Sequence, residues 1–175
     1  MQYRHLTQDE INADLFAHFQ RHQEVRRCWR KIEGRWMLID HPFVEEWSRE
    51  DYAFLVECLQ NTLRTGGGVM GAFEDGLLKG FASVETRPLG SRGQYLQLSA
   101  LHVSSDCRGA GTGRVLFGMA AEKARALGAE RLYISGHSAE ETQAFYQAMG
   151  CQEAEEYDDA LHAAEPCDCQ LEFIL

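Results

Sequence analysis

Two arginines bracket a run of glycines in the second half of the chain, Arg108-Gly109-Ala110-Gly111-Thr112-Gly113-Arg114. Apolar positions at Tyr95, Leu96, Leu98, Leu101 and Val103 predict a strand ending at Val103. Val115, Leu116, Met119, Ala120 and Leu127 predict a helix that opens inside the run and stops at Gly128. The first amides of a helix have no intrahelical acceptor, and the helix dipole adds positive potential there. Glycines let the chain approach an anion without a Cβ in the way, and Arg108 and Arg114 add charge-assisted donors. The chemistry this suggests is phosphate or pyrophosphate binding. A plain structural turn is the alternative. The spacing is not that of a dinucleotide-binding fingerprint, since Gly118 completes no G-x-G-x-x-G, and it is not a P-loop, since no Gly-Lys-Ser/Thr is present. Gly66-Gly67-Gly68 lacks that lysine pair as well and reads as a turn into a strand.

The elements that must position this loop can be read in order. Thr7 and Glu10 fit a capping box, and Ile11, Leu15, Phe16 and Phe19 predict a helix after it. Residues 21–34 are basic and aromatic and read as a continuation of that helix or as a substrate-side loop. Arg35 to Asp40 reads as a short strand broken by His41-Pro42. Ser48 caps a helix whose face is Tyr52, Leu55, Val56, Leu59 and Leu63, with Glu50 and Asp51 in its first turn. Asp75-Gly76 between the apolar runs 69–73 and 77–86 is a hairpin signal. A strand at 131–135 and a helix at 140–149, stopped by Gly150, follow the glycine loop. Residues 151–157 and 167–175 read as two closing strands across a loop at 158–166. The sum is one mixed α+β domain, residues 1–175, with a mostly antiparallel sheet flanked by helices. Residues 1–65 are expected to be acceptor-side helices, 66–157 the cofactor-binding core, and 158–175 a closing loop and strand. The final strand, Leu171 to Leu175, either closes the sheet or pairs across a homodimer.

Bulk properties narrow the class. The 175 residues carry a formal net charge of -10, which repels phosphate backbones and makes nucleic acid a poor partner. It favours a cationic or neutral acceptor, although acidic surfaces also serve solubility alone. No apolar stretch reaches the length of a signal peptide or membrane span, so a cytoplasmic protein with no membrane partner is expected. Cys28, Cys58, Cys107, Cys151, Cys167 and Cys169 do not make a secreted disulfide framework. Cys167-x-Cys169 does not have zinc-knuckle spacing, so reduced thiols and no metal are expected.

Leu101-His102-Val103-Ser104-Ser105-Asp106-Cys107-Arg108-Gly109-Ala110-Gly111-Thr112-Gly113 closely resembles the acetyl-CoA motif of the GCN5-related N-acetyltransferase (GNAT) superfamily, with Arg108, Gly111 and Gly113 in register. Leu132-Tyr133-Ile134-Ser135 and Phe145-Tyr146-Gln147-Ala148-Met149-Gly150 resemble its fifth strand and its Phe-Tyr-x-x-x-Gly signature. The specific resemblance covers roughly residues 70–155. It implies that the strand at 99–103 splays from its neighbour. The pantetheine arm of acetyl-CoA then pairs with backbone at Leu101, His102 and Val103, and the pyrophosphate sits on the amides of Arg108, Gly109, Ala110, Gly111, Thr112, Gly113 and Arg114.

The resemblance also implies that Tyr146 lies near the sulfur as general acid, packing on the sheet being its bland alternative. Phe145 is expected to face the core and Tyr146 the cleft. The Asn that often precedes this tyrosine in the family is missing. Ser138 or Thr142 is a candidate to replace its contact, and Ser138 with Glu141 equally fits a helix cap. His137 faces the cleft or lies on the surface. For the general base, Glu85 at a strand end and His102 beside the thioester are candidates, and a route in which the amine arrives neutral needs none. Strand amides stabilise the oxyanion. The expected activity is acetyl transfer from acetyl-CoA to a small, cationic amine. The alternatives are a protein or peptide N-acetyltransferase and a catalytically inactive CoA-binding regulatory domain. A closed pocket lined by Trp29, Trp36 or Trp47 would disfavour a protein acceptor.

Overall fold

A computed structural model describes all 175 residues. Nine strands and four α-helices run in the order β1 (Gln2–His5), β2 (His22–Ile32), β3 (Arg35–Glu46), α1 (Arg49–Arg64), β4 (Gly68–Glu74), β5 (Leu77–Val84), β6 (Tyr95–Val103), α2 (Thr112–Ala126), β7 (Arg131–Gly136), α3 (Glu140–Ala148), β8 (Gln152–Glu153), α4 (Asp159–Ala164) and β9 (Cys169–Ile174). Seven strands form one sheet in the order β1-β4-β5-β6-β7-β9-β8, and β2 and β3 form a separate hairpin. Every pairing in the large sheet is antiparallel except β6 with β7.

The central strands are buried on both faces, each covered by one helix. Met70, Ala72, Ala82, Leu98, Leu132 and Ile134 pack beneath Leu116, Phe117, Ala120 and Ala124 of α2. On the other face Val69, Phe73, Leu78 and Phe81 meet Leu59 of α1 with Ile11, Phe16 and Phe19 from the N-terminal segment. Fully burying one such side chain stabilises the fold by roughly 1.5–3 kcal/mol. The start of α1 is fixed as expected. Ser48 Oγ accepts from the Asp51 amide at 3.2 Å, and Asp51 Oδ2 accepts from the Ser48 amide at 2.7 Å. The Asp75-Gly76 hairpin joins β4 to β5, with both turn residues at positive φ.

Residues 1–65 depart from the expected helices. Gln2–His5 is an edge strand on β4. The helix expected after Thr7 is two short 3₁₀ helices, Gln8–Glu10 and Ala13–Phe16. Asn12 breaks them apart, its side chain accepting from the Leu15 amide and capping the second. Residues 21–34 are neither helix nor loop but strand β2 and its turn. His41-Pro42 does not end β3, which runs on to Glu46. The register shifts between Val25 and Arg27, leaving His41 and Pro42 opposite Arg26 alone. Proline is tolerated at such a bulge because its missing N–H interrupts no ladder bond. Of the two closing strands, the first shrinks to Gln152–Glu153, and the intervening loop contains α4. β9 closes the sheet, paired with β7 along its length and with β8 at Leu171 and Glu172.

Candidate active site

The parallel pair β6–β7 is joined only at Tyr95, Leu96 and Gln97 against Arg131, Leu132 and Tyr133. Beyond that point β6 runs on to Val103 and β7 to Gly136, and the two strands diverge. The β5–β6 register shifts at Ser83/Val84, where Ser99 is the extra residue on β6. Such a bulge bends a strand away from its line. The gap is a cleft of about 700 Å³.

One end of the cleft is the glycine loop. Gly111 is the cap residue of α2 at φ +83, and a Cβ built on it meets nothing within 4 Å of the protein. No backbone N–H from Arg108 to Arg114 donates to a protein carbonyl. The amides are therefore free for an anion, next to two guanidinium groups. Arg108 Nε donates to the Val103 carbonyl at 3.2 Å, which ties the loop back to the strand end. A Cβ at Gly113 would lie 3.2 Å from the Phe145 ring, so glycine lets α3 close against the start of α2. Leu101, His102, Val103, Arg108, Gly109 and Gly111 to Arg114 line the cleft, while Ala110 sits in the same loop without lining it.

Tyr146 and Phe145 both line the cleft. The division expected for them is not met: Tyr146, 7% exposed, belongs to the main core cluster, and Phe145 is the less buried of the two. The Tyr146 hydroxyl has no hydrogen-bond partner within the protein. Burial, with smaller contributions from Cys151 and Asp168, raises its pKa well above that of an ordinary phenol. It is protonated throughout the physiological range, so its hydroxyl has a proton to donate.

The remaining sequence candidates separate. Thr142 lines the cleft, its hydroxyl accepting weakly from Gln23 Nε2 at 3.5 Å. Ser138 is neither at the cleft wall nor a helix cap. It is buried, its oxygen accepts from Arg30 at 2.5 Å, and Ala139 holds the cap position of α3. Trp29 pairs with it, its amide donating to the Ser138 carbonyl at 2.8 Å. The Ser138 side chain thus anchors the β2–β3 hairpin to α3. His137 lines the cleft, and its Nδ1 accepts from the Ala139 amide at 3.1 Å.

Glu85 does not line the cleft. It faces a separate recess of about 270 Å³ beside Asn61, Thr65 and Asp158. Its Oε1 accepts from Thr62 at 2.7 Å and from Ser99 at 2.5 Å, so only Ser99 connects it to the cleft. His102 does line the cleft, packed against Trp47 and Phe81 at 4.7 and 5.3 Å between ring centroids. Burial, with Arg21 and Arg108 adding repulsion, pushes its pKa down to about 3. The imidazole is neutral and a feeble proton acceptor.

The sequence matches the profile of the acetyltransferase (GNAT) family over residues 21–151. The chain belongs to the GNAT acetyltransferase family. It is an acetyl-CoA-dependent acetyltransferase, and the free amides of residues 108–114 fit the donor's pyrophosphate. Among solved structures, the GNAT fold superposes on nourseothricin acetyltransferase with a TM-score of 0.70 at 20% identity, covering 98% of this chain and 95% of that one. A Bacillus anthracis protein designated a streptothricin acetyltransferase, solved with acetyl coenzyme A, gives 0.72 at 12% identity over 99% and 98%. Ribosomal-protein-alanine N-acetyltransferase from Brucella melitensis gives 0.60 at 21% identity over 100% of both chains. No curated protein matches by sequence.

Within the same cleft, this GNAT chain places four residues that the sequence did not single out, Arg21, Glu45, Glu165 and Asp168, together with Trp47. Arg21, Glu45 and Trp47 come from the hairpin segment, and Glu165 and Asp168 from the turn before β9. Arg21 Nη2 pairs with Glu45 Oε2 at 2.6 Å. No group of three His, Cys, Asp or Glu residues is arranged to hold a metal ion, and no helix is long and apolar enough to cross a membrane.

Proposed function

We propose that the chain transfers the acetyl group of acetyl-CoA to the amine of a small, cationic acceptor. The observation that carries this reading is the charge of the cleft lining outside the glycine loop. Outside that loop, with its Arg108 and Arg114, the cleft is lined by Glu45, Glu141, Glu165 and Asp168 against one guanidinium, that of Arg21, which is already paired with Glu45. Carboxylates lining a cleft attract an ammonium and raise its local concentration. Trp47 lines the same cleft with Gln23 and Glu45 of the β2–β3 hairpin, walls suited to a small molecule more than to a chain terminus. The proteins of similar fold named for nourseothricin and streptothricin superpose over nearly the whole chain, and their designated acceptors make antibiotics of that kind suitable first candidates.

In this reading the donor lies along β6 with its pyrophosphate on residues 108–114. The amides of Leu101, His102 and Val103 orient its arm, and Thr142 offers a hydroxyl where the family's missing Asn would reach. Tyr146 supplies a proton to the departing sulfur. A phenol with a raised pKa cannot protonate a free thiolate downhill, so donation has to accompany cleavage of the C–S bond. A thiol-release assay with acetyl-CoA over diamines, aminoglycosides, streptothricin-type amines, amino acids and short peptides tests the reading. Turnover confined to peptides would replace it with protein acetylation.

A further inference from the structure

We propose that Asp168 is the catalytic base that takes the proton from the acceptor's ammonium group. The inference rests on the amine-acetyltransferase reading and names the residue that makes the amine nucleophilic. Its ground is a comparison of the groups that line the cleft. Glu45 is held by Arg21 at 2.6 Å, so its carboxylate is committed to an ion pair. His102 is a feeble acceptor, as shown above. His137 has its Nδ1 lone pair engaged by the Ala139 amide, which leaves Nε2 carrying the ring proton. Glu141 and Glu165 are exposed to solvent where they line the cleft. Glu85 lies in the other recess.

Asp168 differs from all of these. It is half-buried, lines the cleft and takes part in no ion pair within 4.0 Å. Its position is fixed by backbone. The Asp168 amide donates to the Glu165 carbonyl at 3.0 Å, and its own carbonyl accepts from Gln170 Nε2 at 3.4 Å. It lines the same cleft as Tyr146, the residue assigned to the sulfur, and its charge contributes to raising that phenol's pKa. The charged groups around it are Glu165 from the preceding turn, Glu45 from β3 and Arg30 from β2, with the Ser135 hydroxyl of β7 alongside. Burial first, then Glu165 and Glu45, raise its pKa to about 6; Arg30 and Ser135 oppose them. A base in that range is both ionised and receptive near neutral pH.

The proton count closes. The acceptor enters as R–NH3+, and Asp168 takes one proton and later returns it to solvent. The neutral nitrogen forms a C–N bond at the thioester carbonyl, and the C–S bond breaks. The sulfur gains the Tyr146 proton, and the second proton shed by nitrogen restores the phenol. The products are the N-acetyl amide, CoA thiol and one proton.

The test is the pH dependence of kcat/KM for the wild type, Asp168→Asn and Asp168→Glu, with a diamine and a short peptide as separate acceptors. Thermal melting establishes that each variant is folded. We expect Asp168→Asn to lose about 10²-fold near pH 7. It should lose the acid limb near pH 6 and approach the wild type where the amine is neutral in solution. Asp168→Glu should recover part of the loss. A folded Asp168→Asn enzyme with the wild-type profile overturns the assignment. If the wild type acetylates the peptide and not the diamine, the small-acceptor reading fails alone. The comparison then runs on the peptide amine, which must lose the same proton. A wild type that acetylates neither amine overturns both.

Discussion

Arg21 and Glu45 meet at 2.6 Å on the wall of the cleft, and the arginine side chain is only 6% exposed. Its Nε is buried with no acceptor in the protein. Removing Glu45 therefore leaves a buried guanidinium without its counter-charge. Glu45→Ala should destabilise the fold by about 3 kcal/mol, the lower end for a broken buried pair. The double variant Arg21→Met/Glu45→Leu should regain most of that. Urea unfolding measures both. A single variant as stable as wild type would mean that Arg21 reaches water without its partner.

The glycine loop makes a steric prediction. The space beside Gly111 is open to the cleft and not to the protein, so a side chain there should obstruct the donor's phosphates. A non-glycine residue at φ +83 also carries roughly 1–2 kcal/mol of backbone strain. Gly111→Val should lower acetyl-CoA affinity at least about tenfold by calorimetry, one decade being about 1.4 kcal/mol. Unchanged affinity would remove the pyrophosphate from this loop.

Tyr146→Phe keeps the ring and deletes the donor. Because the hydroxyl makes no hydrogen bond in the protein, its loss should cost little stability. Steady-state kcat should fall by about 10²-fold with acetyl-CoA affinity nearly unchanged. Wild-type kcat, under conditions where chemistry limits the rate, would leave Tyr146 as a packing residue.

Asp168 also makes a prediction about stability that needs no substrate. Its pKa is raised on folding from 3.8 to about 6, so the folded state binds its proton more tightly than the unfolded chain. Stability then falls as pH rises from about 4 to about 6, and the full cost of the buried carboxylate persists above that. Asp168→Asn carries no charge at any pH. It should melt at the wild-type temperature near pH 4 and above it near pH 7.5. A variant less stable at both would show that the carboxylate is held by favourable contacts.

The cysteines divide by burial. Cys151 and Cys169 are pushed up to about 12, chiefly by burial, and Cys28 is buried too. A thiol reagent at neutral pH should label the exposed Cys58 and Cys167 in the folded protein and spare these three until it is unfolded. Elemental analysis after purification without added metal should find no zinc. Stoichiometric zinc lost in a Cys167/Cys169 double variant would contradict this.

The parts of the fold that were legible in the sequence are those where local chemistry and tertiary position agree. The Ser48 cap, the Asp75-Gly76 turn and the Gly111 helix start each show the expected form. The β2–β3 hairpin was hidden for a physical reason. Only Val25 and Cys28 of β2 are buried, three residues apart, because the shift at Arg26 changes which face the strand presents. That spacing mimics a helix. Ile11, Phe16 and Phe19 mislead in the same way, since all three reach the core although Asn12 interrupts the helix. The part of the cleft proposed for the acceptor was the least legible. Its residues come from Arg21, Glu45 and Asp168, brought together by the hairpin and the last strand, and no short motif links them. Ser138 had a local cap pattern, but Arg30, distant in sequence, claims its oxygen.

The central claim is that this GNAT enzyme acetylates a small cationic amine. Competition tests it most directly. A limiting amount of acetyl-CoA is added to the enzyme with equal concentrations of a polycationic small amine and a peptide with a free N-terminus, and mass spectrometry identifies which one gains the acetyl group. The account predicts that the label appears almost wholly on the small amine and that added salt weakens this preference. Acetylated peptide with unmodified amine would contradict it.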